Sequence, residues 1–120
     1  MQTLTKSTTQ SAKDTFPLNG TDFIEFYVGN AKQAAFYYQM AFGYKLVAYK
    51  GPETGTRETC SYVLQQDKIR LILTSALSPE HDIARHVREH GDGVKVLALW
   101  VDDVDYSYRM ALERGAVSVA

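Results

Sequence analysis

The sequence has little of what marks membrane-bound, secreted or nucleic-acid-binding proteins. Its one cysteine, Cys60, cannot form an internal disulfide, which agrees with a reducing compartment. No apolar run approaches the length of a membrane span, and the polar first residues lack the apolar core of a secretory signal. The charge is nearly balanced, with 13 basic and 14 acidic residues, so neither nucleic acid nor a membrane is expected as a partner. These absences favour a soluble, cytoplasmic protein with one globular domain.

The first segment with a regular pattern, GTDFIEFYVGN, alternates two sets of side chains at the period of two that a strand requires. The sets are Ile24, Phe26 and Val28 on one face, and Phe23, Glu25 and Tyr27 on the other. The first face is purely apolar, whereas the second carries a carboxylate between aromatic rings. Glu25 is therefore a candidate metal ligand, although a carboxylate hydrogen-bonded within the sheet or facing water is the favoured interpretation.

A helix is predicted directly after this strand. Asn30 can cap it, Gln33 stands where a capping-box partner would reach back, and Gly43 is placed to end it. Three strands then follow, with the sequences YKLVAY, RETCSYVLQ and IRLILTS, and a second helix is predicted from about Pro79 to His90. Cys60 lies within the second of these strands with no histidine beside it, which favours a packed small residue over a nucleophile.

Three histidines, His81, His86 and His90, are predicted to lie in the second helix, where HVREH matches the H-x-x-E-H pattern of inverted zinc proteases. Two histidines at i and i+4 share a helical face. A catalytic zinc needs a third protein ligand, however, and no histidine follows His90, while Arg85 and Arg88 add positive charge beside the metal position. The favoured interpretation is a solvated helix that is rich in histidine, and no metal site is assigned to His86 and His90.

The strand and helix pattern occurs twice in the chain. The segment IEFYVGNAKQAAFYYQMAFG, which begins at Ile24, is echoed by LALWVDDVDYSYRMALERG, which begins 73 positions later at Leu97. The match is chemical rather than identical, and the cap Asn30 answers to Asp103. A strand–helix unit repeated at this distance predicts tandem β-α-β-β-β modules whose sheets pair with each other.

The predicted organisation is a disordered tail over residues 1–15, a complete first module over 16–76, a linker helix over 77–93, and the start of a second module over 94–120. After Gly115 the chain offers only AVSVA, so the second module is expected to be truncated. Sheet edges and apolar faces should therefore be left uncovered. The fold class predicted from this order of elements is α+β.

Five segments of the chain carry a family resemblance: GTDFIEFYVGNAKQAAFYYQMAFGYKLVAY, GPETG, SYVLQQDKIRLILT, LSPEHDIARHVREHGDGVKVLALWVDD and ERGA. They closely resemble the amino-terminal domain of 4-hydroxyphenylpyruvate dioxygenases, and the similarity runs from about Phe16 to the end of the chain. The resemblance implies the vicinal oxygen chelate fold, which is shared by glyoxalases, bleomycin-resistance proteins and these dioxygenases. It also implies a parent enzyme much longer than this chain.

The resemblance further implies a non-haem Fe(II) held by two histidines and one glutamate. The substrates would be 4-hydroxyphenylpyruvate and O2, and the products homogentisate and CO2, in tyrosine catabolism. The family's iron ligands lie in the carboxy-terminal domain, beyond Ala120, so no catalytic, cofactor-binding or metal-binding residue is assigned to this chain. The chain alone is expected to be inactive and prone to aggregation, and the full-length protein is expected to form a homo-oligomer.

Two alternatives stay open. Hydroxymandelate synthase uses the same substrate and scaffold but hydroxylates the benzylic carbon, and the choice depends on pocket residues outside this segment. The alternative from another class is a small non-catalytic ligand-binding protein of the same fold, which a homogeneous dimer of the chain would favour.

Overall fold

The computed structural model describes residues 16–119, so the predicted tail over 1–15 lies outside the described residues. The strands and helices are β1 (Gly20–Tyr27), α1 (Ala31–Phe42), β2 (Lys45–Lys50), β3 (Thr59–Gln66), β4 (Ile69–Ala76), α2 (Asp82–His90), β5 (Gly93–Trp100) and α3 (Val104–Glu113). A short 3-10 turn, Pro52–Thr54, lies between β2 and β3. The predicted order of elements and the α+β class are confirmed. None of the described helices is long and apolar enough to cross a membrane.

The five strands form one mixed sheet in the order β2-β3-β4-β1-β5. Strand β1 runs parallel to β4, with Phe26 opposite Leu73, and β3 is antiparallel to both β2 and β4. The β3–β4 hairpin turns through two residues, of which Asp67 has a φ of 54°. Because β1 and β4 are parallel, their carboxyl ends meet at one edge of the sheet, and the residues that follow them lie close together.

The chain divides into two compact units. One extends from Thr21 to Leu99, and the other joins the described residues 100–119 to residues 16–20. The first unit contains nearly all of the sheet together with α1 and α2, and the second contains α3. The predicted module limits, 16–76, 77–93 and 94–120, stay a prediction.

Helix α1 begins where two side chains accept hydrogen bonds from its free amide groups. Asn30 Oδ1 accepts from the backbone nitrogen of Gln33 at 3.0 Å, and Ser75 Oγ accepts from that of Ala31 at 3.1 Å. Such caps replace the intrahelical partners that the first amides lack. Gly43 ends the helix in the left-handed region, with a φ of 80°. The predicted cap and the predicted end of α1 are therefore both confirmed.

The core lies between α1 and one face of the sheet. Its buried members are Val28, Ala31, Ala35, Cys60, Leu64 and Leu73. The two alanines let the helix approach the strands closely, and Leu64 and Leu73 are 0% exposed. Burial of each leucine contributes about 1.5–3 kcal/mol. Cys60 is a buried free thiol whose Sγ lies 3.4 Å from Ser75 Oγ, so its interpretation as a packed small residue is confirmed.

Large apolar side chains are also exposed, as the sequence predicts. On the outer side of α1, Phe36 is 61% and Met40 67% exposed, and in β5, Leu97 is 57% exposed. A helix that is apolar on nearly all sides is typical of a buried position. These faces are therefore apolar surfaces that the described residues do not cover.

Helix α2 begins at Asp82, three residues later than predicted. His81 precedes the helix as its cap, and its Nδ1 accepts a hydrogen bond from the backbone nitrogen of Ile83 at 3.1 Å. The prediction that His81, His86 and His90 all lie in one helix is therefore wrong. An imidazole nitrogen can act as a cap acceptor, and the H-x-x-E-H spacing gave no sign of that role.

Candidate functional site

Glu25 belongs to a row of polar side chains across three neighbouring strands. Its Oε2 accepts a hydrogen bond from Thr74 Oγ1 at 2.8 Å, and Thr74 Oγ1 lies 2.8 Å from Ser61 Oγ. Because the one hydroxyl proton of Thr74 is directed at the carboxylate, Ser61 is the donor to Thr74. Glu25 is therefore hydrogen-bonded within the sheet, which was the favoured interpretation. The polar row braces β3, β4 and β1 on the face opposite the core.

His86 packs against the same strand from α2. Its ring meets that of Tyr27 edge to face, with the centroids 5.5 Å apart, and the ring of His90 lies 4.7 Å away. The Nδ1 atom of His86 is buried and has no hydrogen-bond partner among the described residues. Burial lowers the pKa of His86 below its ordinary value, and the nearby His90 and Lys95 lower it further. The neutral form of His86 is therefore favoured relative to that of a free imidazole.

The described residues do not fit an iron or zinc centre. Within 16–119, no group of three or more His, Cys, Asp or Glu side chains is placed to hold a metal ion. His90 Nε2 lies 3.9 Å from Glu89 Oε1, and Glu25 is engaged with Thr74. A two-histidine, one-carboxylate site needs three ligands around one point. We therefore assign no metal ligand, and the location of the iron ligands outside this segment stays a prediction.

A polar pair that sequence reasoning missed joins β2 to the loop that follows it. Tyr49 donates a hydrogen bond from its hydroxyl to Glu53 Oε1 at 2.7 Å, and this bond raises the pKa of Tyr49 to about 12 while lowering that of Glu53. A Cβ on Gly51 would collide with the Tyr49 hydroxyl. The i, i+4 spacing of a tyrosine and a glutamate around glycine and proline was the available signal. This pair closes the loop, in agreement with the expectation of a turn there.

A cleft of about 630 Å³ lies beside α1. It is lined by Phe26, Val28, Gly29, Asn30, Gln33, Ala34, Tyr37, Tyr38, Leu73 and Asp92. Its floor is apolar, and two of its polar side chains already bind backbone: Asn30 caps α1, and Asp92 Oδ1 accepts from the nitrogen of Gly29 at 3.0 Å. The contact of Asp92, which is 63 positions from Gly29 in sequence, was not predictable from local pattern. The cleft can hold an apolar group, and its polar atoms serve mainly to hold the β1–α1 connection.

The fold and the sequence agree with known proteins. Residues 20–119 match the family model of the Glyoxalase/Bleomycin resistance protein/Dioxygenase superfamily. Over 97 residues the chain is 50% identical to the 4-hydroxyphenylpyruvate dioxygenase of Sus scrofa, in a match covering 80% of this chain and 25% of the relative. The chain spans about a quarter of the length of the curated dioxygenases it matches.

Solved structures of two related proteins resemble this chain as well. A triple mutant of 4-hydroxymandelate synthase from Streptomyces coelicolor matches with a TM-score of 0.81 and 33% identity, over 86% of this chain and 32% of the other. Methylmalonyl-CoA epimerase from Mycobacterium tuberculosis matches with a TM-score of 0.68 over 86% of this chain and 69% of the other, and at 23% identity it supports the fold alone. The chain belongs to the Glyoxalase/Bleomycin resistance protein/Dioxygenase superfamily and has the vicinal oxygen chelate fold predicted from its sequence.

Proposed function

We propose that this chain is the amino-terminal scaffold of an Fe(II)-dependent dioxygenase. The whole enzyme would convert 4-hydroxyphenylpyruvate and O2 into homogentisate and CO2, in the cytoplasm and as a homo-oligomer, during tyrosine catabolism. The observation that carries the proposal is the 50% identity to the Sus scrofa dioxygenase over 97 residues. The iron would be held by residues outside this segment and would supply O2 activation there.

The contacts of the polar side chains support a scaffold role. Glu25 binds Thr74, Asn30 caps α1, and Asp92 binds the backbone of Gly29. Each of these side chains accepts a hydrogen bond from a neighbouring group in the fold. Polar groups whose hydrogen bonds are satisfied in this way stabilise one structure and are not free to react. The segment would therefore act by holding its sheet in one geometry against the rest of the enzyme.

A domain exchange tests this proposal. The matched quarter of the Sus scrofa dioxygenase is replaced by residues 20–119 of this chain, and homogentisate is measured by chromatography. We expect homogentisate formation within about tenfold of the parent rate, because a scaffold contributes no reacting group. A folded chimera that binds iron but forms no homogentisate would refute the scaffold role.

A variant of the chimera tests the assignment of Glu25. Glu25→Gln keeps a side chain that can accept from Thr74 Oγ1 and removes the carboxylate charge. We expect iron content and homogentisate formation to be unchanged, whereas loss of a metal ligand would lower metal affinity by a factor of about 10 or more. For the 120-residue chain alone we expect neither O2 uptake nor homogentisate.

The second enzyme function is that of hydroxymandelate synthase, favoured by the structural match at a TM-score of 0.81. It would use the same two substrates and release 4-hydroxymandelate in place of homogentisate. The identity of 33% to that protein is lower than the 50% to the dioxygenase, which is the reason for preferring the dioxygenase. Analysis of the product formed by the full-length enzyme separates the two.

A non-catalytic ligand-binding function is the candidate from another class. The cleft of about 630 Å³ with its apolar floor is the feature that favours it. Isothermal titration calorimetry of the chain with 4-hydroxyphenylpyruvate tests this function. Saturable binding by a homogeneous dimer would support it, and the absence of heat on titration at two well-separated temperatures would exclude it for this ligand.

A further inference from the structure

Asn19, the residue before β1, is held by two hydrogen bonds to the corner between β5 and α3. Its backbone nitrogen donates to the carbonyl oxygen of Trp100 at 2.7 Å. Its side-chain Nδ2 donates to Asp102 Oδ1, also at 2.7 Å. All of these residues belong to the same compact unit. Asn19 therefore ties the entry into the sheet to the start of the second repeat, and it does so from an exposed position.

The residue after Asn19 is glycine for a conformational reason. Gly20 has a φ of 135°, which side chains with a Cβ rarely adopt, and open space surrounds it. With no Cβ, glycine leaves its own backbone nitrogen unhindered for attack on the preceding side chain. The residue that hinders this attack least, glycine, therefore directly follows an exposed asparagine. The other asparagine of the chain, Asn30, is followed by Ala31, whose nitrogen is bound to Ser75 Oγ at 3.1 Å.

We propose that Asn19–Gly20 is a site of spontaneous deamidation, and that the carboxylate formed there opens the tie between Asn19 and Asp102. The backbone nitrogen of Gly20 attacks Cγ of Asn19, and the new N–Cγ bond closes a five-membered succinimide. The Cγ–Nδ2 bond breaks, and ammonia leaves with the proton lost from the Gly20 nitrogen. Water then adds to one of the two ring carbonyls and reopens the ring to aspartate or isoaspartate.

The product cannot keep the contact with Asp102. The Nδ2 donor has gone as ammonia, and a carboxylate takes its place beside the carboxylate of Asp102, at a spacing where the amide made a hydrogen bond of 2.7 Å. Two like charges this close repel each other, and two ionised carboxylates offer acceptors without a donor. An isoaspartate also lengthens the backbone by one carbon, which displaces the Asn19 nitrogen from the carbonyl of Trp100. Both products therefore loosen the same corner.

The reaction is tested by incubating the full chain at neutral and mildly alkaline pH and following each asparagine by peptide mass spectrometry. We expect the peptide with Asn19 to gain about 1 Da, faster at the higher pH, while the peptide with Asn30 is unchanged. Asn19→Gln is the matched variant, because it keeps an amide but would need a slower six-membered ring closure. Persistence of intact Asn19 over a period in which an unfolded peptide of the same sequence deamidates fully would overturn the proposal.

The structural consequence is tested with substitutions that need no ageing. Asn19→Asp should speed hydrogen exchange at the backbone amide of residue 19 by about tenfold. The reason is the loss of the side-chain hydrogen bond to Asp102 and the weakening of the backbone hydrogen bond to Trp100 beside it. Adding Asp102→Asn should restore slow exchange, because a donor again faces a carboxylate. Trp100 is the only tryptophan in the chain, so its fluorescence reports on this corner. Unchanged exchange in Asn19→Asp, or no recovery in the double variant, would refute the opening of the tie.

Discussion

The two strand–helix repeats, β1–α1 and β5–α3, begin their helices in the same way. Asn30, with φ −143° and ψ 98°, accepts a hydrogen bond at 3.0 Å from the backbone nitrogen three residues later. Asp103, which is 73 positions further on, has φ −127° and ψ 102° and accepts from the corresponding nitrogen at 3.0 Å. A cap depends only on a short side chain and the turn that follows it, so the same local chemistry produces the same local geometry twice.

The helix positions that follow the two caps differ in burial. Ala31 and Ala35 are 0% and 1% exposed, whereas Val104 and Tyr108, at the equivalent positions, are 69% and 53% exposed. The first repeat carries small residues where the helix meets three strands of the sheet, and the second carries large ones. Helix initiation is therefore a local property of both repeats, and burial of the helix face is not. The four predictions that follow test this difference, beginning with the largest effect.

Truncation of a leucine should separate the core beside the first repeat from the second repeat most strongly. Leu73, which pairs with Phe26 of β1, is 0% exposed, whereas Leu97 of β5 is 57% exposed. We expect Leu73→Ala to lower the free energy of unfolding by about 2–5 kcal/mol and Leu97→Ala to change it by less than about 0.5 kcal/mol. Urea unfolding followed by circular dichroism measures both. Equal losses would show that β5 is as well packed as β4.

Enlargement of the helix positions tests the same contrast by overpacking. Ala35→Leu inserts three carbons between α1 and the core and should cost about 1–3 kcal/mol of unfolding free energy. Tyr108→Leu places the same leucine at the equivalent position of α3 without enlarging it, and should stay within about 0.5 kcal/mol because the site is 53% exposed. Both variants are compared by their urea midpoints. A tolerated Ala35→Leu would mean that α1 can move away from the sheet without loss.

Removal of the caps should erase the difference between the repeats. Asn30→Ala and Asp103→Ala each remove one acceptor from the first turn of a helix, and each should cost about 1 kcal/mol of helix stability. Hydrogen exchange at the amides of Gln33 and Tyr106, which are the donors to these caps, measures each helix separately. An effect at one cap alone would show that helix initiation also depends on the surrounding fold.

The smallest effect should appear as a pH dependence of the contact between α2 and β1, the strand of the first repeat. The pKa of His86 lies below its ordinary value of 6.5, so the unfolded chain binds the proton more readily than the folded one. The stability that neutral His86 contributes against Tyr27 is present above pH 6.5 and is lost as the pH falls towards the lowered pKa. His86→Leu should flatten stability over this window. His90→Leu should raise the pKa of His86 part of the way back to its ordinary value, since the charge on His90 is the second cause of the shift. NMR titration of the His86 ring measures the direction directly, and a pKa at or above 6.5 would contradict it.

Much of the fold was accessible from local pattern. The alternation around Phe26, the cap at Asn30 and the glycine at Gly43 placed β1 and α1 correctly, because period, cap and helix end are encoded within a few residues. The start of α2 was misplaced by three residues, since a histidine is an unusual cap and His81 was predicted to lie within the helix. The family resemblance was confirmed by the match over residues 20–119.

The environment of the candidate residues was not accessible in the same way. Glu25 could be assigned to a face of β1 from its period, but its partner Thr74 lies 49 positions away in β4. His86 faces Tyr27 only because α2 returns over the sheet, and the pattern of the helix alone favoured a solvated position. Among the described residues no cluster of side chains is placed to hold a metal ion. This leaves the predicted location of the iron ligands untested, because those ligands are predicted to lie outside this segment.

By itself the sequence determined the order of strands and helices and the caps of α1 and α3, because each depends on neighbours within about one turn. It also determined the resemblance to a family, because that depends on the order of the amino acids alone. The tertiary structure decided which repeat has a buried helix, which strand lies beside β1, and which distant residues hold Glu25 and Gly29. The physical reason is that burial and cross-strand hydrogen bonds depend on residues brought together by the folded sheet. The local periodicity of the sequence does not predict which residues those partners are.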